Sequence, residues 1–255
     1  MLKVEREGAI AIWTIANPRT KNALDRDTLD HLLVEVTAAA QDTTLRAVVL
    51  TGTGDAFSSG GDLRELKDAT TERHAEQLSD LGSEICSALE GLDVPVIAAL
   101  PGVAFGGGAE LALACDMRVA DARALLSFKQ VRLGVTPAWG TIPRLAATVG
   151  ASAASRLLLT AHEISADDAK AMRLVDEVTP DGTCLRRAMQ WASDVVRGSP
   201  RAVALCKALL RDARRASPDL HALERERFVA TWTGADHAEA VRAYFEKRAP
   251  VWGAR

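Results

Sequence analysis

The sequence predicts an α/β protein whose first half alternates short strands with helices and whose second half is nearly all helical. Three observations carry this. Apolar runs of strand length recur at 46–51 (RAVVLT) and 96–100 (VIAAL), helical-spacing amphipathic stretches lie between them, and glycine-rich turns follow each run. From Ala138 onward the pattern is nearly all helical. With 255 residues, 48% of them hydrophobic and 25% charged, the chain has the composition of a globular protein with a sizeable core. No repeat, low-complexity segment or linker interrupts it, so it reads as one integrated unit with a helical tail.

The elements follow in order. Residues 2–5 and 9–15 alternate with period two around Glu7-Gly8, which predicts a hairpin that Asn17-Pro18 ends. Asp25 or Asp27 caps a helix with Leu29, Leu32, Leu33 and Val36 on one face. After the strand at 46–51 come a glycine turn and a helix from about Asp62. A longer helix then runs through Leu78, Leu81, Ile85 and Leu89 to near Gly91. The strand at 96–100 leads into a second glycine loop, a helix at 109–114 and a strand at 117–120.

Several function classes are excluded by composition. A net charge of -3 is not the basic field of a nonspecific nucleic-acid binder. The first residues alternate apolar and charged, unlike a signal peptide. The longest apolar stretch, 94–115, holds two prolines, four glycines and Glu110, and is not a membrane span. Cys86, Cys115, Cys184 and Cys206 are scattered without a CxxC or a His/Cys cluster, which predicts buried free thiols in a reducing cytoplasm and no metal site. The five histidines fall in polar or helical contexts, with His74 expected on a solvated helical face.

Two segments are candidates for chemistry. Residues 51–63 (TGTGDAFSSGGDL) take a strand through a glycine loop into a helix start at Asp62. This is either a plain turn capped by Asp62 or a set of backbone N–H groups presented at a helix N-terminus, where positive partial charge gathers. The spacing of Gly52 and Gly54 fits neither a dinucleotide fingerprint nor a phosphate loop. Residues 96–113 (VIAALPGVAFGGGAELAL) repeat the arrangement, and Glu110 is the only charge between Asp93 and Asp116. A carboxylate among alanines and leucines is either a desolvated acid/base group or a first-turn glutamate favoured by the helix dipole.

These two segments resemble the paired signatures of the enoyl-CoA hydratase/isomerase (crotonase) superfamily. The likeness extends over nearly the whole chain: Asn17-Pro18 with residues 21–24 (KNAL), 164–170 (ISADDAK), 174–176 (LVD) and 244–248 (YFEKR). The resemblance implies a spiral of ββα units over residues 1–195 and a helical C-terminal trimerisation region over 196–255. It implies a CoA thioester as substrate, with no cofactor, in a cytoplasmic homotrimer or hexamer. The N–H groups of Gly61 and Gly107 match the family's oxyanion hole, which holds the thioester enolate. Ala23, Ser59, Asp62, Leu63 and Trp139 match substrate-binding positions, and Tyr244 and Lys247 match positions that meet the CoA nucleotide of a neighbouring subunit.

The side chains around that hole select the reaction. Glu110 matches one of the family's two hydratase glutamates, and Gln130 stands at the second position, a clear departure. A glutamine amide orients water but cannot shuttle a proton. Trp139 is a second departure: an indole replaces small residues there, either as packed core or as pocket lining. The stretch from Phe128 to Leu145 also resembles the alkylmalonyl-CoA decarboxylase branch. Hydratase/isomerase chemistry therefore stands beside decarboxylation of methyl- or ethylmalonyl-CoA, and beside a noncatalytic acyl-CoA-binding relative.

Overall fold

The computed structural model describes residues 1–66, 71–214, 235, 239, 242–243 and 246–253. The chain opens with strands β1 (Leu2–Glu7) and β2 (Ile10–Ile15) and helix α1 (Arg26–Gln41). Then come β3 (Ala47–Gly52), β4 (Ala56–Ser58), α2 (Leu63–Leu66), α3 (Glu72–Gly91), β5 (Val96–Leu100), β6 (Val103–Phe105), α4 (Gly107–Ala114), β7 (Met117–Asp121) and β8 (Leu125–Ser127). The second half holds α5 (Thr141–Val149), α6 (Ala151–Thr160), β9 (Ile164–Ser165), α7 (Ala166–Ala171), β10 (Glu177–Thr179), α8 (Cys184–Val196) and α9 (Pro200–Arg214).

Two sheets share these strands. One runs β1-β2-β3-β5-β7-β10, antiparallel only at the β1/β2 hairpin; the other runs β4-β6-β8-β9. Each strand of the β3-β5-β7 series is followed by its counterpart in β4-β6-β8, and α3 and α4 make the returns. That is a ββα spiral, advancing one strand in each sheet per turn.

Strands β3 and β5 are buried on both faces, which explains their unbroken apolar runs. Val48, Leu50, Val96, Ala98 and Leu100 face the cluster formed with α1, α3 and α4. Ala47, Val49, Ile97 and Ala99 face Cys184, Ala188 and Ala192 of α8. Asp25 caps α1 by accepting from Thr28 N at 2.9 Å. Helix α9 is tied to the core by Lys207, whose Nζ donates to Leu89 O and Val94 O at 2.9 Å and meets Asp116 at 2.8 Å.

Two expectations need correction. The chain beyond Ala138 is not nearly all helical, because β9 pairs with β8 and β10 extends the main sheet beside β7. Strands of two and three residues are too short to show a period in sequence. Cys86, Cys115 and Cys184 are buried, but Cys206 is exposed. The turn of α9 points its neighbour Lys207 inward instead. Among the described residues no helix is long and apolar enough to cross a membrane.

Candidate active site

The two glycine loops meet at the ends of β4 and β6. The first is fixed by Asn22, a wholly buried side chain on a left-handed backbone (φ 58°), a conformation that asparagine adopts more readily than most residues. Its Nδ2 donates to Thr53 O (2.9 Å) and Ala56 O (2.7 Å), and its Oδ1 accepts from Asn17 N and Thr53 Oγ1 at 3.0 Å. The bond from Asn17 closes the 17–22 turn, and the other three stitch that turn to the 53–56 turn. Ser59 continues the seam: its N donates to Lys21 O (2.9 Å) and its Oγ to Thr20 O (2.8 Å).

This seam sets the direction of the Gly61 amide. Leu24 N donates to Gly60 O (2.8 Å) and Asp62 N to Leu24 O (3.2 Å), a parallel bridge between Leu24 and Gly61. In a trans peptide the carbonyl of Gly60 and the N–H of Gly61 point opposite ways, so the Gly61 N–H faces away from Leu24. Gly61 lines the cavity on that other side. Gly107 opens α4, and the first intrahelical bond there is Glu110 N to Gly106 O (3.1 Å). The Gly107 N–H therefore has no acceptor within its own helix. The two loops are in contact: a Cβ at Gly60 (φ 96°) would lie 2.8 Å from Phe105 O and 3.3 Å from Gly107 N. Only glycine allows that approach.

Both loops face a cavity of about 870 Å³, also lined by Leu24, Ser59, Leu78, Leu81, Glu110, Gln130 and Trp139. Glu110 sits in the first turn of α4 with 4% of its surface exposed. Three donors hold it. Thr141 Oγ1 donates to Oε1 at 2.5 Å, Trp139 N to Oε1 at 3.4 Å, and Gln130 Nε2 to Oε2 at 2.8 Å. Burial pushes the Glu110 carboxyl above the ordinary glutamate value, and these donors pull part of the way back. The Gln130 amide faces Glu110 through its NH2 because a carboxylate only accepts, which leaves the buried Oε1 of Gln130 without a partner.

Trp139 is both packed and pocket-lining. Only 6% of it is exposed, yet it borders the cavity. Its carbonyl accepts from Arg144 Nη1, and Arg144 pairs through Nε with Glu90 at 2.8 Å. Thr141 and Gly82, the glycine under the indole, are site residues that sequence reasoning missed.

The other candidates are distributed around this centre. Ser59, Asp62 and Leu63 line the cavity, Leu63 on its open side with 56% exposure. Asp62 is buried and held below the usual carboxylate range by Arg64, whose Nη2 lies 2.9 Å away. Ala23 is buried behind Leu24, and it is Leu24 that lines the cavity. His74 is exposed, as expected, and also borders the cavity. Lys247 is exposed, with φ 56°. Tyr244 lies outside the described residues. Among the described residues no group of three or more His, Cys, Asp or Glu is placed to hold a metal ion.

A ββα spiral that brings two glycine loops and the buried Glu110 carboxylate to one apolar cavity defines a crotonase-type protein. Comparisons with known proteins agree. The sequence profile of the enoyl-CoA hydratase/isomerase family matches residues 5–255, and the chain belongs to that family. It is 36% identical to the short-chain-enoyl-CoA hydratase of Clostridium acetobutylicum, covering 96% of this chain and 94% of that one. It is 34% identical to the 2,3-dehydroadipyl-CoA hydratase of Escherichia coli, covering 100% and 99%. The crystal structure of an enoyl-CoA hydratase from Bacillus anthracis superposes with a TM-score of 0.94 at 29% identity, covering 98% of each chain.

Proposed function

We propose that this enzyme adds water to short 2-enoyl-CoA thioesters, with Glu110 as its one acid/base side chain. The thioester oxygen accepts from the N–H groups of Gly61 and Gly107, which stabilise the enolate as charge moves onto that oxygen. A single such donor contributes about 3–4 kcal/mol to lowering a barrier of this kind. Glu110 takes a proton from water as the water oxygen bonds to C3, then delivers that proton to C2. The enolate collapses and the carboxylate is restored. The observation that carries this reading is the place of Glu110: buried, one helical turn from Gly107, bordering the cavity and held by three donors. Its raised pKa suits a group that must both accept and release a proton near neutral pH.

Decarboxylation of an alkylmalonyl-CoA is disfavoured, because the substrate carboxylate would enter a site that already buries the Glu110 carboxylate, like charge against like charge. By likeness to the family, the active species is a cytoplasmic homotrimer or pair of trimers. In that assembly Tyr244 and Lys247 meet the CoA nucleotide of the adjoining subunit. Incubation with crotonyl-CoA, a 3-enoyl-CoA, methylmalonyl-CoA and ethylmalonyl-CoA, read by mass spectrometry, tests the reaction. Water addition to crotonyl-CoA is the expected result, and CO2 loss without hydration would replace this reading by the decarboxylase one.

A further inference from the structure

Helix α3 has a glycine, Gly82, buried in the interior of its 20 residues. Glycine there disfavours folding about fivefold relative to alanine, so its presence calls for a steric reason. A Cβ at Gly82 would lie 2.0 Å from Cε2 and 2.1 Å from Nε1 of Trp139. The indole occupies the space that any side chain would need. On its far edge, a Cβ at Gly107 would lie 2.8 Å from Cη2 and 3.0 Å from Cζ3 of the same ring. The ring is therefore clamped between α3 and α4, with its six-membered edge against one of the two proposed enolate donors. Its backbone is pinned as well. Trp139 N donates to Glu110, and its carbonyl accepts from Arg144, which is paired with Glu90 near the end of α3.

We infer that Trp139, seated on Gly82, walls off the acyl pocket just beyond the reacting carbons, so that the Gly82–Trp139 pair restricts the enzyme to short acyl chains. This rests on the hydratase reading above. A thioester held at Gly107 places its C2 and C3 beside the indole edge, and a longer tail must displace the ring. The ring cannot retreat toward α3, where it already touches backbone, and its anchored loop cannot swing outward without breaking the bonds to Glu110 and Arg144.

The test is kcat/KM for hydration of crotonyl-, hexenoyl- and octenoyl-CoA. The wild-type enzyme should prefer crotonyl- over octenoyl-CoA by at least about tenfold. Each methylene newly accommodated is worth about fourfold, so Trp139→Ala should raise the octenoyl-to-crotonyl ratio at least about tenfold. Gly82→Ala should push the indole into the pocket and lower crotonyl-CoA hydration at least about tenfold, and that loss should vanish in the Gly82→Ala/Trp139→Ala double variant. An unchanged ratio in folded Trp139→Ala, or a Gly82→Ala loss that persists in the double variant, overturns the inference. If Trp139→Ala does not fold, the wild-type profile still decides, since equal activity on all three lengths refutes a wall. A wild-type enzyme that hydrates none of them defeats the hydratase reading and this inference together, which separates the two failures.

Discussion

Replacing Glu110 by glutamine should make the protein less active and more stable at the same time. The carboxylate is buried, and burial raises its pKa above that of the unfolded chain. Below the unfolded value, both states carry the proton and the site contributes no penalty. As pH rises through the unfolded and then the folded value, the unfolded state ionises first and the native state loses stability. At pH 7.5, well above the unfolded value, that loss weighs on the wild type and is absent in Glu110→Gln. The hydrogen bonds survive the change. The new carbonyl keeps Thr141 and Trp139 N, and the Gln130 amide turns over to accept from the new NH2, so three bonds remain three. What changes is the buried charge. Relief of such functional-site strain typically yields about 0.5–2 kcal/mol, and in a chain of this size each kcal/mol moves Tm by about 2–4 °C. Turnover should fall at least about a hundredfold, near 2.7 kcal/mol of barrier. Thermal unfolding of both proteins at pH 4 and pH 7.5, with crotonyl-CoA hydration, checks the pair of effects. The Tm gain should appear at pH 7.5 and fade at pH 4. A lower Tm at pH 7.5, or turnover within a few-fold of wild type, would refute the assignment of Glu110.

Three further outcomes are expected. Gly107→Pro should abolish turnover with circular dichroism intact, because proline is tolerated at the first position of a helix but has no N–H. Gly107→Ala crowds the same indole while keeping the N–H, so equal losses in the two variants would show that crowding, not the missing donor, is responsible. Gln130→Glu sets a second carboxylate within hydrogen-bond reach of Glu110, where the two must share a proton, and should raise both crotonyl-CoA hydration and the pH of its optimum; unchanged or lower hydration counts against that position. Lys247→Ala should raise KM for the CoA ester several-fold at constant kcat, as loss of one exposed phosphate contact would; sedimentation of a fully active monomer, or an unmoved KM, would remove Lys247 from the nucleotide site.

Most of the fold was legible because β3 and β5 are covered on both faces and so appear as unbroken apolar runs. Strands β4, β6 and β8 are three residues each, and β4 and β6 lie beside glycine turns, so no periodicity betrays them. Glu110 stood out as a lone charge in an apolar segment, and its burial follows from that setting. Thr141 did not stand out, since its bond to Glu110 crosses 31 residues and depends on where α5 begins. Gly82 is an ordinary letter in a helical stretch until the indole from another segment is laid upon it. The two readings of Trp139, core or lining, were open because a clamped ring is both.

The proposed enolate donors at Gly61 and Gly107 are main-chain groups positioned by the Asn22 seam and by the start of α4. Every residue except proline carries such an N–H, so no exchange of functional groups can delete them; a substitution acts there only through shape. On the proposed mechanism, the parts that select one reaction over another are the side chains at 110, 130 and 139, on three separate segments of the chain. A duplicated gene can therefore drift at those codons, lose its original chemistry through a single base change, and still encode a working cradle for a thioester enolate. Innovation on this scaffold starts from a half-built catalyst, because the donors belong to the chain itself and are lost only when a side chain at their glycines changes its shape.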